Sequence, residues 1–162
     1  MMKSSGSFDR RGFAGLLFTF LLLAAGVPMA DTALKTAQLR VGSHALRVEV
    51  AASEPERQKG LMFREKMGKN DGMLFIFDEP GYHAMWMQNT YLPLSVAFVD
   101  RDGVILNVED MEPRTTDAHA AQGPALYAIE MNKGWFAEKK IKPGDKVTGL
   151  PPGSRSEVGG RR

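Results

Sequence analysis

The sequence predicts an all-β domain, a small β-sandwich or barrel-like fold with one or two short helices. Three observations predict it. Short apolar segments, several of them alternating with polar residues, recur between residues 31 and 150. Turn residues (Gly, Asp, Pro) separate them. Only the stretch from Ser53 to Gly60 carries both start and stop signals of a helix. Seven or eight short strands with one clear helix fit a sandwich or barrel rather than a helical bundle.

Each element follows from its residues. Leu39 and Val41, the pair Gly42-Ser43, then Leu46, Val48 and Val50 alternating with Arg47 and Glu49 read as a hairpin with one buried face. Ser53 followed by Glu56 forms a capping box, Pro55 suits a first helical turn and Gly60 a helix stop, which predicts a helix over Glu54–Lys59. Gly72-Met73-Leu74-Phe75-Ile76-Phe77 is a continuous apolar run, expected as a strand buried on both faces and ended by Asp78-Glu79-Pro80-Gly81. Met85 to Met87 is another short apolar piece. Ser95–Val99 and Val104–Val108 flank Asp100-Arg101-Asp102-Gly103, the clearest hairpin in the chain. Leu126 to Met131 is a further strand and Trp135 to Lys140 a helical turn. Lys142-Pro143-Gly144-Asp145 then turns the chain into Lys146–Leu150.

The ends read differently. Residues 1–30 are expected to be a signal peptide: Met1 to Arg11 is polar and basic, Gly12 to Val27 is uncharged and apolar, and Ala24, Gly26 and Ala30 supply small residues for cleavage. The apolar run is shorter than the ~20 residues that span hydrocarbon, so no stable membrane span is expected after signal removal. Asp9-Arg10-Arg11-Gly12-Phe13 also resembles a twin-arginine signal, although Asp9 stands where a hydroxyl residue is usual. Either route leads to a periplasmic or secreted location. Residues 151–162, mostly Pro, Gly, Ser and Arg, read as a disordered tail.

The formal charge of +2 belongs to those ends. From Asp31 to Leu150 there are 15 basic and 17 acidic residues, and no basic run that would mark a nucleic-acid partner. The absence of cysteine excludes a disulfide scaffold, a thiolate metal cage and a cysteine nucleophile.

Three blocks carry a family resemblance: Glu56-Arg57-Gln58-Lys59-Gly60-Leu61-Met62-Phe63-Arg64, then Gly72-Met73-Leu74-Phe75, then Trp86-Met87-Gln88-Asn89-Thr90 with Pro93-Leu94. Together, and with Met111-Glu112-Pro113, Tyr127-Ala128-Ile129-Glu130 and Gly134-Trp135-Phe136, they resemble the domain-of-unknown-function 192 family over roughly Val48 to Leu150. The resemblance implies a compact β-sandwich-like fold and implies no activity. Two departures stand out. Members of that family often carry Asp where this chain has Ser95, and some carry cysteines where it has Arg114 to Gln122.

The residues themselves suggest three functions. Trp86 offers a stacking face, and Asn89 and Thr90 offer donors and acceptors, which suits a small polar ligand, carbohydrate being the natural case. The plainer alternative is that Asn89 and Thr90 bond their own turn and that Trp86 is core. Arg64 and Glu130 are candidate second contributors, or charge stabiliser and acid–base group of an envelope hydrolase. Glu130 interrupts an apolar strand, so it is either paired and perturbed or turned to solvent beside Ala128. His83, Met85 and Met87 alternate and would share one strand face, a soft ligand set for Cu(I), though methionine is equally a core filler. No esterase elbow, zincin helix or phosphate loop is present, and no cofactor is implied.

Overall fold

The computed structural model describes residues 33–153. The predicted signal peptide (1–30) and the tail from residue 154 onward lie outside the described residues. Alternation and turns produce β1 (Thr36–Val41), β2 (His44–Ala51), β3 (Asp71–Gly81), β4 (Ala84–Met85), β5 (Leu94–Val99), β6 (Ile105–Met111), β7 (His119–Ala120), β8 (Ala125–Asn132) and β9 (Val147–Thr148), with helices α1 (Glu54–Lys59) and α2 (Trp135–Glu138). Seven strands form one curled, half-barrel sheet in the order β6-β5-β8-β3-β2-β1-β9, and β4 pairs with β7 as a separate ribbon. The all-β, barrel-like expectation holds.

Both expected hairpins form. β1 and β2 pair from Val41↔His44 outward, turning through Gly42 at φ +57°. Between β5 and β6 the Asp100 carboxylate accepts from the backbone N–H groups of Asp102 and Val104 at 2.8 Å each, which fixes the turn. The helix also forms where predicted. The Glu56 carboxylate accepts from the Ala52 and Ser53 N–H groups at 3.0 and 2.8 Å, closing the capping box. Glu56→Ala is therefore expected to lower stability by about 1 kcal/mol, read as a lower midpoint in urea with an unchanged slope.

Three features depart from the sequence expectation. β3 continues through Asp78-Glu79-Pro80 to Gly81, because its ladder with β8 breaks register between Ile76 and Gly81 and so frees the proline from pairing. β2 and β3 are parallel, Arg47 to Ala51 opposite Asp71 to Phe75, with α1 in the crossover. Arg57 ties that helix to the sheet, donating to the Ala52 and Ile76 carbonyls and to the Glu54 and Asp78 carboxylates. The third is the short ribbon β4–β7, Met85 opposite His119, where only the 85–87 piece is visible in sequence.

The sheet carries a core on each face. One holds Leu39, Leu46, Leu74, Ile129, Trp135 and Phe136, with Trp135 Nε1 donating to Asn70 Oδ1 at 3.0 Å. The other holds Leu61, Met73, Phe75, Met87, Leu94, Val96, Phe98 and Ala128. β5, with β8 on one side and β6 on the other, is buried at all six positions. A strap of backbone hydrogen bonds joins the two ends of the sheet. Gly144 and Val147 donate to the carbonyls of Ile105 and Gly103, Ile105 donates to Asp145, and β9 pairs with β1 through Arg40↔Thr148 and Val41↔Val147. Gly103 permits the close approach: its φ is +84°, and a Cβ there would lie 2.6 Å from the Val147 carbonyl oxygen.

Candidate functional site

Glu130 lies on β8, in register with Met73 of β3 and Val96 of β5. Register partners on neighbouring strands share a face, so its side chain enters the apolar layer of Phe75, Phe98 and Ala128. The open-surface alternative is thereby excluded: Glu130 is 4% exposed. It makes no side-chain hydrogen bond or ion pair among the described residues. Burial alone, with no opposing charge, pushes its pKa up to about 8. At neutral pH it is a protonated acid, able to donate a hydrogen bond.

The carboxyl lines a cavity of about 610 Å³. Leu61, Met62, Phe75, Phe77, Met85 and Trp86 give it apolar walls, and Thr90 adds a polar group. Arg57, Glu54 and Asp78 sit around it and are spoken for by one another. Trp86 is 56% exposed, an amphipathic ring left largely uncovered rather than a core residue. Its neighbour Met87 is the anchor, fully buried, with its N–H bonded to the Thr115 carbonyl. With Met87 held inward, Trp86 beside it is left on the surface.

Three of the five candidate ligand residues, Trp86, Thr90 and Glu130, thus line one cavity. The other two do not. Asn89 is exposed and serves the turn through its backbone: φ is +55° and its carbonyl accepts from Phe63 N–H at 2.9 Å. Arg64 pairs with Glu49 through two contacts of 2.5 and 2.6 Å, in a separate depression with Lys66, Met67 and Asp71. That hydrogen-bonded guanidinium holds the Glu49 carboxyl below the usual carboxylate range. Arg64 therefore does not line the cavity that holds Glu130. Thr90 Oγ1 donates to the Gln88 carbonyl at 3.3 Å, so part of its hydrogen bonding is local, as the turn chemistry suggested.

The soft-metal set is also divided. His83 and Met85 line the cavity, but Met87 is core, because β4 ends at Met85 and strand alternation stops there. The His83 ring stacks on Phe77 with centroids 3.7 Å apart, and its Nε2 contacts the Glu79 carbonyl at 2.9 Å. Among the described residues no group of three His, Asp or Glu is placed to hold a metal ion. Ser95, where family members often carry Asp, is buried; its hydroxyl donates to Asp110 and accepts from Gly134 N–H at 2.8 Å. It joins β5 to the start of α2 and is out of reach of a ligand.

Comparison with known proteins places this geometry in a family. No curated protein matches the chain. A crystal structure of a proposed transcription regulator from Sinorhizobium meliloti is similar, with TM-score 0.71 and 34% identity, covering 74% of this chain and 97% of that one. A protein of unknown function from Novosphingobium aromaticivorans is similar too, with TM-score 0.69 and 36% identity, covering 75% of this chain and 89% of that one. The model of the family DUF192, described as uncharacterized ACR, matches residues 37–149. The chain belongs to the DUF192 family.

Proposed function

We propose that this is an exported binding domain whose cavity takes a small polar ligand, a neutral sugar ring. One observation carries the reading: an unpartnered, buried carboxylic acid and a largely exposed indole line the same cavity. A ring with an apolar face and hydroxyl or carbonyl oxygens meets both, stacking on Trp86 and accepting from Glu130. A gene-regulatory role, suggested by the description of the Sinorhizobium protein, would need a basic face, whereas residues 31–150 carry more acidic than basic groups.

Titration with N-acetylglucosamine, followed by tryptophan emission, tests the reading. Trp135 is buried, so Trp86 dominates the response to a ligand. A saturable change with a Kd of about 1 mM is expected, lost in Glu130→Leu and kept in Glu130→Gln, which still donates; loss of binding in Trp86→Ala, which lacks the reporter, is read by calorimetry. No response to this or other neutral monosaccharides up to roughly 100 mM sinks the proposal.

A hydrolase with Glu130 as general acid is a second reading, favoured by the same raised pKa. It requires a partner other than Arg64. Turnover of aryl glycosides that Glu130→Gln abolishes would establish it in place of simple binding.

A further inference from the structure

Next to the cavity lies a surface that folding does not account for. Phe63, 59% exposed, has φ +64°, a left-handed backbone that L-residues other than Asn and Asp adopt only at a cost. So little of its ring is buried that burial offsets that cost poorly. Asn89 (φ +55°) and Arg114 (φ +63°), from two other segments, share the conformation. Backbone bonds gather all three at one turn: Phe63 N–H to the Asn89 carbonyl, and Arg114 N–H to the Thr90 carbonyl. Asn tolerates this conformation, so the strain falls on Phe63 and Arg114, and strained backbone of this kind gathers at binding sites.

The side chains they present form a shelf. Tyr91, 40% exposed, meets the Phe63 ring edge to face, with centroids 6.1 Å apart and planes at 81°. The Arg114 guanidinium sits 5.0 Å from the Tyr91 ring centroid and has no carboxylate partner among the described residues. The shelf lies beside the cavity without lining it: Phe63 and Tyr91 directly follow Met62 and Thr90 of the cavity wall, and the Arg114 N–H is bonded to the Thr90 carbonyl.

We propose that the Phe63–Tyr91–Arg114 shelf is a second subsite, which takes a carboxylate-bearing ring linked to the neutral ring in the cavity. The occupant is an acidic oligosaccharide, entered neutral end first. Aromatic faces pack the apolar face of a sugar, and a guanidinium held against a ring is oriented to grip a carboxylate through two parallel hydrogen bonds. The inference rests on the sugar reading of the cavity and adds the length and charge of the ligand.

Three probes separate the two. N-acetylglucosamine fills the cavity alone, N,N′-diacetylchitobiose adds a neutral second ring, and N-acetylglucosaminyl-N-acetylmuramic acid adds an acidic one. The neutral disaccharide is expected to bind about tenfold tighter than the monosaccharide, and the acidic one about tenfold tighter again. Phe63→Gly removes the gain from the second ring, leaves the monosaccharide unaffected and does not lower Tm, because glycine relieves the strain. Arg114→Gln removes only the preference for the acid. A monosaccharide that binds while neither disaccharide gains overturns the second subsite and leaves the cavity reading standing. Silence from all three probes overturns both. Self-association abolished by Phe63→Gly would assign the shelf to a second copy of the chain and overturn the proposal as well.

Discussion

Glu130→Gln is expected to stabilise the protein, by about 3 kcal/mol at pH 7 and about 5 kcal/mol at pH 9. In the unfolded chain Glu130 ionises near its ordinary value of 4.5; in the folded chain it holds its proton up to about pH 8. Between those limits the folded state binds one proton more than the unfolded state. Stability therefore falls as pH rises, by about 1.4 kcal/mol per pH unit, and levels off above pH 8. Below pH 4.5 both states are protonated and the two proteins should be equally stable on this account. The remaining carboxylates shift both proteins alike, so the difference between their urea curves isolates the residue. A difference that does not vary with pH would mean that Glu130 is ionised and solvated in the folded protein, and would remove the basis for a neutral donor in the cavity. An acid retained at such cost to stability is better explained by what it binds than by what it packs against.

Phe75→Ala is expected to cost about 3–5 kcal/mol. Phe75 is almost fully buried on β3, between Ala51 of β2 and Ala128 of β8 in register. Both neighbours are alanines, and the ring fills the space they leave. It also reaches Gly60 at the end of α1, where a Cβ would lie 3.3 Å from the ring. Truncation would join the void to the existing cavity, which Phe75 lines. Equilibrium unfolding should show a lower midpoint, and the Trp86 response to N-acetylglucosamine should weaken in the fraction that folds. A loss below about 1 kcal/mol would show that the site collapses freely and that the wall is not rigid.

The elements were legible because their causes are local. The capping box of α1, the Asp100–Gly103 turn and the unbroken apolar run of β3 are each written within a few adjacent residues. The parallel pairing of β2 with β3 was not, because nothing local distinguishes a crossover from a hairpin once a short helix intervenes. The site was half legible for the same reason. Glu130 could be given a side of its strand, beside Ala128, but burial of that side depends on Leu61, Met87 and Leu92 folding over it from elsewhere in the chain. Arg64 and Glu130 do not share a site because Glu49, on a strand the sequence does not mark as a neighbour of Arg64, takes its guanidinium. That Phe63, Tyr91 and Arg114 form one surface is not marked in the sequence. Their common property is a backbone conformation and a meeting in space, and neither is encoded by residue type.

The strap between residues 144 and 148 bears on the order in which this protein can assemble. It reaches the β5–β6 turn on one side and the exposed edge of β1 on the other, so the first and last strands of the sheet depend on each other. The β1–β2 hairpin can form early, but at Arg40 and Val41 the outer edge of β1 lacks its pairing until Thr148 and Val147 arrive. Closure is thus a property of the finished chain. A truncation before Val147 should leave an open strand edge, a template for pairing with other chains, and such a fragment is expected to aggregate at lower concentration than the full chain.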